Sequence, residues 1–250
     1  NMPRVAVLLV CAGLSMAAPI QAQTAHPSDR DPAIGGSPDI PLTPARSNAA
    51  LQYHLSWRMI ETLLERTNLT AEEIEAVDRG ELPERYREQL AAERNRIEDL
   101  IEVTKLTLCD FGNHSEKGID AILPHLGVMR ETGRLLIADA KRLEATDMDA
   151  AVDRIAATIR LGEHASQSSY IIGSLVGVAI AQMAREEIQR LLDDSKLDPG
   201  HAETLDDALN RIITDDPFHS LNAIESEAMM MKHWLKFTFT GKDAGKELCD

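Results

Sequence analysis

Two groups of residues have types that could support chemistry. Asp110-Phe111-Gly112 matches the metal-binding tripeptide of protein kinases, but the chain has neither the glycine-rich loop nor the catalytic-loop motif that accompany it. The methionines at 229–231, with His233, offer thioether and imidazole groups that suit copper. Successive helical residues point about 100° apart, so three adjacent methionines cannot face one ion. We therefore predict neither a kinase site nor a copper site.

Signatures of the common enzyme classes are missing from the sequence. It has no nucleophile elbow, phosphate-binding loop, dinucleotide fingerprint or His-Glu-x-x-His helix. The eight histidines are scattered, and no two lie three or four residues apart. The acidic pairs, such as Asp206-Asp207, lack the alternating spacing of a calcium loop. We predict no metal and no cofactor, and this pattern argues against an enzyme.

The composition predicts helices. Hydrophobic residues make up 44% of the 250 residues and aromatic residues only 4%, while Ala, Leu, Ile, Glu and Arg are abundant. Asp198-Pro199 and Asp216-Pro217 each place an acidic N-cap before a proline at the first helical position. We predict an all-α fold, a multi-helix bundle of about eight helices.

Apolar residues recur at helical spacing in four stripes, each of which we expect to pack against a neighbour. The stripes are Leu126, Met129, Gly133, Leu136, Ala140 and Leu143; Val152, Ile155, Ile159 and Gly162; Leu205, Leu209 and Ile212; and Leu221, Ile224, Ala228, Met231 and Leu235.

Three further segments favour helices. Residues 48–66 and 84–108 are expected to form long helices, and Thr70 with Glu73 to form a capping box between them. Residues 165–184 carry no charge and contain Gly173 and Gly177, which predicts a buried central helix that a neighbour approaches closely. Membrane association through this segment is the alternative.

The first 46 residues have the features of an export signal and a tether. Arg4, an apolar run to Ala18 and small residues beyond it predict a signal peptide over residues 1–22. Residues 23–46 contain five prolines, which predicts a disordered tether, so the helical domain covers 47–250. We expect a periplasmic or extracellular location. The formal charge of −15 disfavours nucleic acid as a partner.

The two cysteines of the exported chain leave two interpretations open. Cys109 and Cys249 could form a disulfide in an oxidising compartment, or Cys109 could be a buried, unpaired thiol.

Several segments together resemble a known family. Residues 138–165 resemble a tetratricopeptide-type helical hairpin, with Thr146 where the full motif has glycine. The chain also resembles a family of uncharacterised exported helical proteins common in planctomycete bacteria. The resemblance lies in that hairpin, in Cys109-Asp110-Phe111-Gly112, in Leu123-Pro124-His125-Leu126-Gly127 and in the run at 171–180. The resemblance spans about residues 48–231 and implies a compact helical domain. Members of the family extend further, so an incomplete open reading frame is one interpretation of this chain.

Two functions follow from these patterns. The first is a non-catalytic interaction or scaffold domain that binds a protein or peptide in a groove between hairpins. The second is a small-molecule binder or enzyme with a site in the bundle interior, for which Asp110, His125 and Glu163 are the candidate residues because they lie in or beside the family-like segments.

Overall fold

The computed structural model describes residues 47–54, 57, 70–78, 81–112 and 123–238. These residues form an all-α fold, as predicted. After an N-terminal helical segment at residues 49–54, the helices are α1 (Ala71–Asp78), α2 (Glu84–Ala92), α3 (Arg94–Thr104), α4 (Pro124–Leu143), α5 (Met148–Ser166), α6 (Ile171–Asp193), α7 (Pro199–Asn210) and α8 (Ser220–Thr238). The signal peptide, the tether and Cys249 lie outside the described residues, as do most of residues 55–69.

Helix α5 lies at the centre of the domain. It packs against α3, α4, α6 and α7, and most of its side chains are buried. The first three predicted stripes are buried in α4, α5 and the region of α7, which confirms that each packs against a neighbour. A helix surrounded in this way needs small residues where its neighbours approach.

The crossing of α5 and α6 depends on glycine. A Cβ atom on Gly177 would lie 2.5 Å from the Gly162 carbonyl oxygen, and one on Gly162 would lie 2.8 Å from the Gly177 oxygen. The prediction that glycine in residues 165–184 admits a neighbouring helix is therefore confirmed at Gly177. The prediction of one buried central helix over these residues is wrong, because α5 ends at Ser166 and α6 begins at Ile171. Ile172, Leu175 and Val178 of α6 are 46–59% exposed. Among the described helices, none is long and apolar enough to cross a membrane.

Two predicted helix starts have different outcomes. The Asp198 side chain accepts a hydrogen bond from the His201 N–H at 2.9 Å, and α7 begins at Pro199 as predicted. Pro217 instead begins a single 3₁₀ turn, and α8 begins at Ser220. Phe218 and His219 have positive φ angles of 57° and 49°, which interrupt the helix. The Asp216 carboxylate caps α8 itself, through the N–H groups of Leu221 and Asn222.

The prediction of one helix over residues 84–108 is wrong. Glu93, with φ −94° and ψ 11°, separates α2 from α3, and α3 ends at Thr104. The following residues leave the helix because side chains from other parts of the fold bind their backbone. Their carbonyl groups accept hydrogen bonds from α5 and from Arg211, and Ala49 N donates to Leu108 O at 2.8 Å.

The predicted capping box is confirmed, since Thr70 N donates to Glu73 and Glu73 N donates to Thr70.

The fourth predicted stripe does not pack against the domain, so that prediction is wrong. Leu221, Ile224, Met231 and Leu235 are 39–60% exposed on α8. A different face of α8 packs on the domain, with Ala223 buried and Trp234 half-buried. The stripe is therefore an apolar surface.

Candidate functional site

The structure brings two of the three candidate residues to one pocket. Asp110 and His125 both line a small pocket beside the turn between α5 and α6, together with Gln167 and Tyr170. The pocket volume is about 30 Å³, which is room for about one or two water molecules. It is too small for an organic substrate.

His125 is a packing residue. Its ring is buried and stacks on Phe111, with the ring centroids 4.1 Å apart and the planes 13° from parallel. Phe111 stacks in turn on Trp57, at 5.4 Å and 9°. The three rings join Trp57 to the start of α4. This geometry gives the candidate residue His125 a packing role.

Asp110 stabilises a turn. Its side chain accepts a hydrogen bond from Gly112 N at 2.8 Å, and Gly112 has a φ of +85°, which glycine adopts easily. The Asn48 side chain binds the Asp110 backbone through both its amide oxygen and its amide nitrogen. Both observations show that Asp110 helps to hold the backbone of residues 108–112 in its turn.

Glu163 lies in a separate polar cluster that Gln167 connects to the pocket. The carboxylate accepts hydrogen bonds from Arg211 at 2.6 Å and from Gln167 at 2.5 Å, and His219 Nε2 lies 3.7 Å away. Burial raises the pKa of Glu163, but the nearby His219 imidazole, the hydrogen bond from Gln167 and the Arg211 charge outweigh it, so the pKa falls below its ordinary value. Glu163 is thus a buried, paired carboxylate.

His164 is a central member of this cluster that sequence reasoning missed. Leu106 O, 2.7 Å from Nε2, can only accept, so Nε2 donates and Nδ1 accepts from the Tyr53 hydroxyl at 2.8 Å. Burial lowers the pKa of His164 to about 4, and the Arg211 guanidinium acts in the same direction. The imidazole is therefore neutral near pH 7, with both nitrogens occupied.

Arg211, also missed, closes the end of α3. Its guanidinium donates to Thr104 O at 2.9 Å and to Leu106 O at 2.8 Å, two carbonyl groups at the C-terminal end of that helix. Gln167 binds the backbone of the next residues in the same way, since it donates to Thr107 O and accepts from Cys109 N. The cluster therefore holds an irregular, partly buried segment in place.

Two groups near the cluster that could be nucleophiles, the Cys109 thiol and the Tyr53 hydroxyl, are held in their protonated forms. Cys109 is a buried free thiol, which confirms the second of the two interpretations of this residue. Burial raises the pKa of Cys109 and the pKa of Tyr53 well above their ordinary values. Neither group is ionised near neutral pH, so neither is a nucleophile there.

A larger cleft lies on the other side of α4. We name it the α4–α6 groove; its volume is about 400 Å³, and it is lined by Val77, Arg134, Ile137, Ala138, Lys141, Met183, Glu186, Glu187 and Arg190. Apolar side chains from α1, α4 and α6 form part of this lining. Charged side chains of both signs form the rest.

Ion pairs organise the charged part of the groove. Glu187 is buried and accepts a hydrogen bond from Arg190 at 2.5 Å, and the hydrogen bonds that Arg190 donates to Glu187 and to Glu144 raise the pKa of Arg190. Lys141 Nζ lies 3.8 Å from the Glu187 carboxylate, which is beyond hydrogen-bond distance. Its ammonium group is thus held at the groove with N–H donors available to an incoming acceptor.

Among the described residues, no group of three or more His, Cys, Asp or Glu side chains could hold a metal ion. No protein-family model, curated protein or solved structure matches the chain. The resemblance to exported planctomycete proteins stays a prediction.

Proposed function

We propose that the chain is an exported, non-catalytic helical domain that binds a peptide segment of another protein in the α4–α6 groove. The observation that carries the proposal is the groove itself, an open cleft with apolar side chains and Lys141 at its side. An apolar side chain of the peptide would lie against Ile137 and Met183, and a peptide carboxylate or carbonyl would accept from Lys141. Export is supported by the sequence of residues 1–22.

The polar cluster supports a binding domain rather than an enzyme. Its acid, its imidazole and its guanidinium are engaged with one another and with backbone carbonyls, at distances of 2.6–2.9 Å. Groups engaged in this way fix a backbone segment. They are not arranged around a space in which a substrate could lie, because the adjacent pocket has room for only about one or two water molecules.

A small-molecule binder is the second candidate function. The groove volume of about 400 Å³ falls in the range of small-molecule sites, roughly 300–1,000 Å³. The resemblance of residues 138–165 to a tetratricopeptide-type hairpin, by contrast, favours a peptide. We therefore place the peptide first.

Site-specific crosslinking tests the proposal. The photoreactive residue benzoylphenylalanine replaces Met183 in the groove or, as a control, Ile213, which is exposed after α7. Each protein, from Gln23 onward, is irradiated in cell-envelope extract. We expect a protein crosslink from position 183 and none from position 213. Equal crosslinking at both positions, or none at 183, would count against the groove.

The identified peptide then allows a matched pair of variants. Lys141→Gln should weaken peptide binding about tenfold, because it removes a charged hydrogen-bond donor. Lys105→Gln, at the exposed end of α3, removes the same charge away from the groove and should leave the affinity unchanged. Native mass spectrometry that finds only a bound metabolite would favour the second candidate.

A further inference from the structure

Helix α8 carries an apolar surface with the spacing of a coiled-coil seam. We call Leu221, Ile224, Ala228, Met231 and Leu235 the α8 stripe. Its members are separated by three, four, three and four residues, which is the a/d pattern of two heptads. All five are exposed. The stripe extends over about 21 Å, since each helical residue advances about 1.5 Å.

The rest of α8 explains why the stripe points outward. Helical geometry places Ala223, Met230 and Trp234 on one face, about 100° around the helix from the stripe. Ala223 is buried, and the other two are half-buried. From the same side, Glu227 accepts a hydrogen bond from Ile171 N, the first N–H of α6, at 2.8 Å. These contacts fix the rotation of α8 about its axis.

The charges beside the stripe are self-complementary. Glu225 and Lys232 are both exposed and occupy the e positions of the two heptads, on the same flank of the stripe. If two copies of α8 meet antiparallel about Ala228, Leu221 faces Leu235 of the second copy. Glu225 of each copy then lies only about 1.5 Å along the helix axis from the level of Lys232 of the other, so the two side chains can pair, and the ion pair occurs twice.

We propose that the chain forms a homodimer in which the α8 stripes of two copies pack antiparallel about a two-fold axis at Ala228. A single helix pair of this length is a smaller contact than the roughly 800 Å² per partner of a standard interface. The dimer is therefore reversible and concentration-dependent. The Gly162–Gly177 crossing and the α4–α6 groove take no part in it.

Analytical ultracentrifugation of the chain from Gln23 onward measures the dimer constant. Ile224→Glu places a carboxylate in the seam of each copy and should weaken association at least about thirtyfold. Met229→Glu is the matched control, because Met229 is exposed outside the seam and its change should have little effect. A chain that remains monomeric at millimolar concentration overturns the proposal, as does equal weakening by both variants.

Charge exchange and crosslinking test the antiparallel register. Glu225→Lys and Lys232→Glu should each weaken the dimer about fivefold, and the double variant should restore it. In a Cys249→Ser background, Ala228→Cys lies at the two-fold axis and should form a disulfide dimer rapidly, whereas Leu221→Cys should not. Rapid crosslinking of both variants would indicate a parallel pair and overturn the proposed register.

Discussion

The backbones of Gly162 and Gly177 meet where α5 crosses α6. Each glycine points its Cα hydrogens at the other helix, and a Cβ atom on either would lie within 2.8 Å of the opposite carbonyl oxygen. Side chains at a crossing point set the separation of two helices, so this pair permits an unusually close approach. The central helix α5 is packed to α6 through backbone contact.

Substitution of Gly177 should therefore destabilise the domain. Gly177→Ala gains about 1 kcal/mol of helix propensity, but the added methyl group meets the Gly162 backbone, which cannot move aside as a side chain could. We expect the free energy of unfolding to fall by about 1–3 kcal/mol in urea denaturation.

Gly127→Ala provides the matched control. Gly127 lies in the first turn of α4, and no atom lies within 4 Å of an added Cβ. This variant should raise the free energy of unfolding by up to about 1 kcal/mol. If both variants stabilise the protein, the α5–α6 approach is looser than the structure shows.

Local patterns in the sequence predicted the parts of the fold that depend on neighbours along the chain. The glycines of α6, the stripes of α4 and α5 and the Asp198 cap all follow from spacing within one or two turns. Spacing along the chain did not predict the break at Glu93, the end of α3 at Thr104 or the 3₁₀ turn at Pro217. The end of α3 depends on a group that is remote in sequence, because Arg211, which binds the Thr104 carbonyl, lies more than one hundred residues from it.

The candidate site residues likewise divide into what local sequence patterns predicted and what they did not. Asp110 and His125 share a pocket, as a common site would require, but both have structural roles there. Glu163 belongs to a cluster that joins the end of α5 to Tyr53, Arg211 and His219, which come from three other segments. One signal was available, because Glu163-His164 interrupts the apolar pattern of α5 at positions that are buried. Adjacent buried polar residues indicate a hydrogen-bond network.

A buried ion pair connects α4 to α5. Asp139 accepts a hydrogen bond from Arg154 at 3.0 Å and another from Arg142 at 2.7 Å, and Asp139 and Arg154 are almost entirely buried. Asp139→Ala should lower the free energy of unfolding by about 3–5 kcal/mol, because it leaves the Arg154 charge buried with one partner fewer.

An exposed ion pair serves as the control for that measurement. Arg96 donates to Glu93 at 3.0 Å on the surface, and Arg96→Ala should change the free energy of unfolding by less than about 1 kcal/mol. The double variant Asp139→Leu/Arg154→Met should recover part of the loss, since neither charge then remains. A double variant less stable than Asp139→Ala would contradict this account.

Cys109 should be chemically silent in the folded protein. Its thiol is buried, and burial raises its pKa, so thiolate is scarce near neutral pH. In a Cys249→Ser chain from Gln23 onward, Ellman's reagent should react with no thiol over minutes at pH 8. One equivalent should react after addition of guanidinium chloride. Rapid reaction in native buffer would show that the segment around Cys109 opens readily.

His164 should make the domain less stable as the pH falls below 6.5. Its pKa is about 4 when folded, against an ordinary value of about 6.5, so the unfolded chain binds a proton that the folded chain does not. The stability due to the neutral imidazole is fully present above pH 6.5 and decreases as the pH falls towards 4. Between pH 6.5 and 5 the decrease should be about 2 kcal/mol.

His164→Gln removes this dependence while it keeps a donor and an acceptor at the same place. The difference in free energy of unfolding between the two proteins should therefore change by about 2 kcal/mol between pH 6.5 and 5. Tyr53→Phe is the control: it removes the hydroxyl group that donates to Nδ1 but leaves the imidazole buried, so it should lower stability and preserve the slope. Glu163 has a lowered pKa, so its contribution to stability is lost mainly below pH 4.5, and His219 has a raised pKa, so its contribution is lost above pH 6.5. Neither therefore dominates this window. If His164→Gln keeps the full slope, the imidazole is accessible to water and the cluster does not hold the end of α3 as the structure shows.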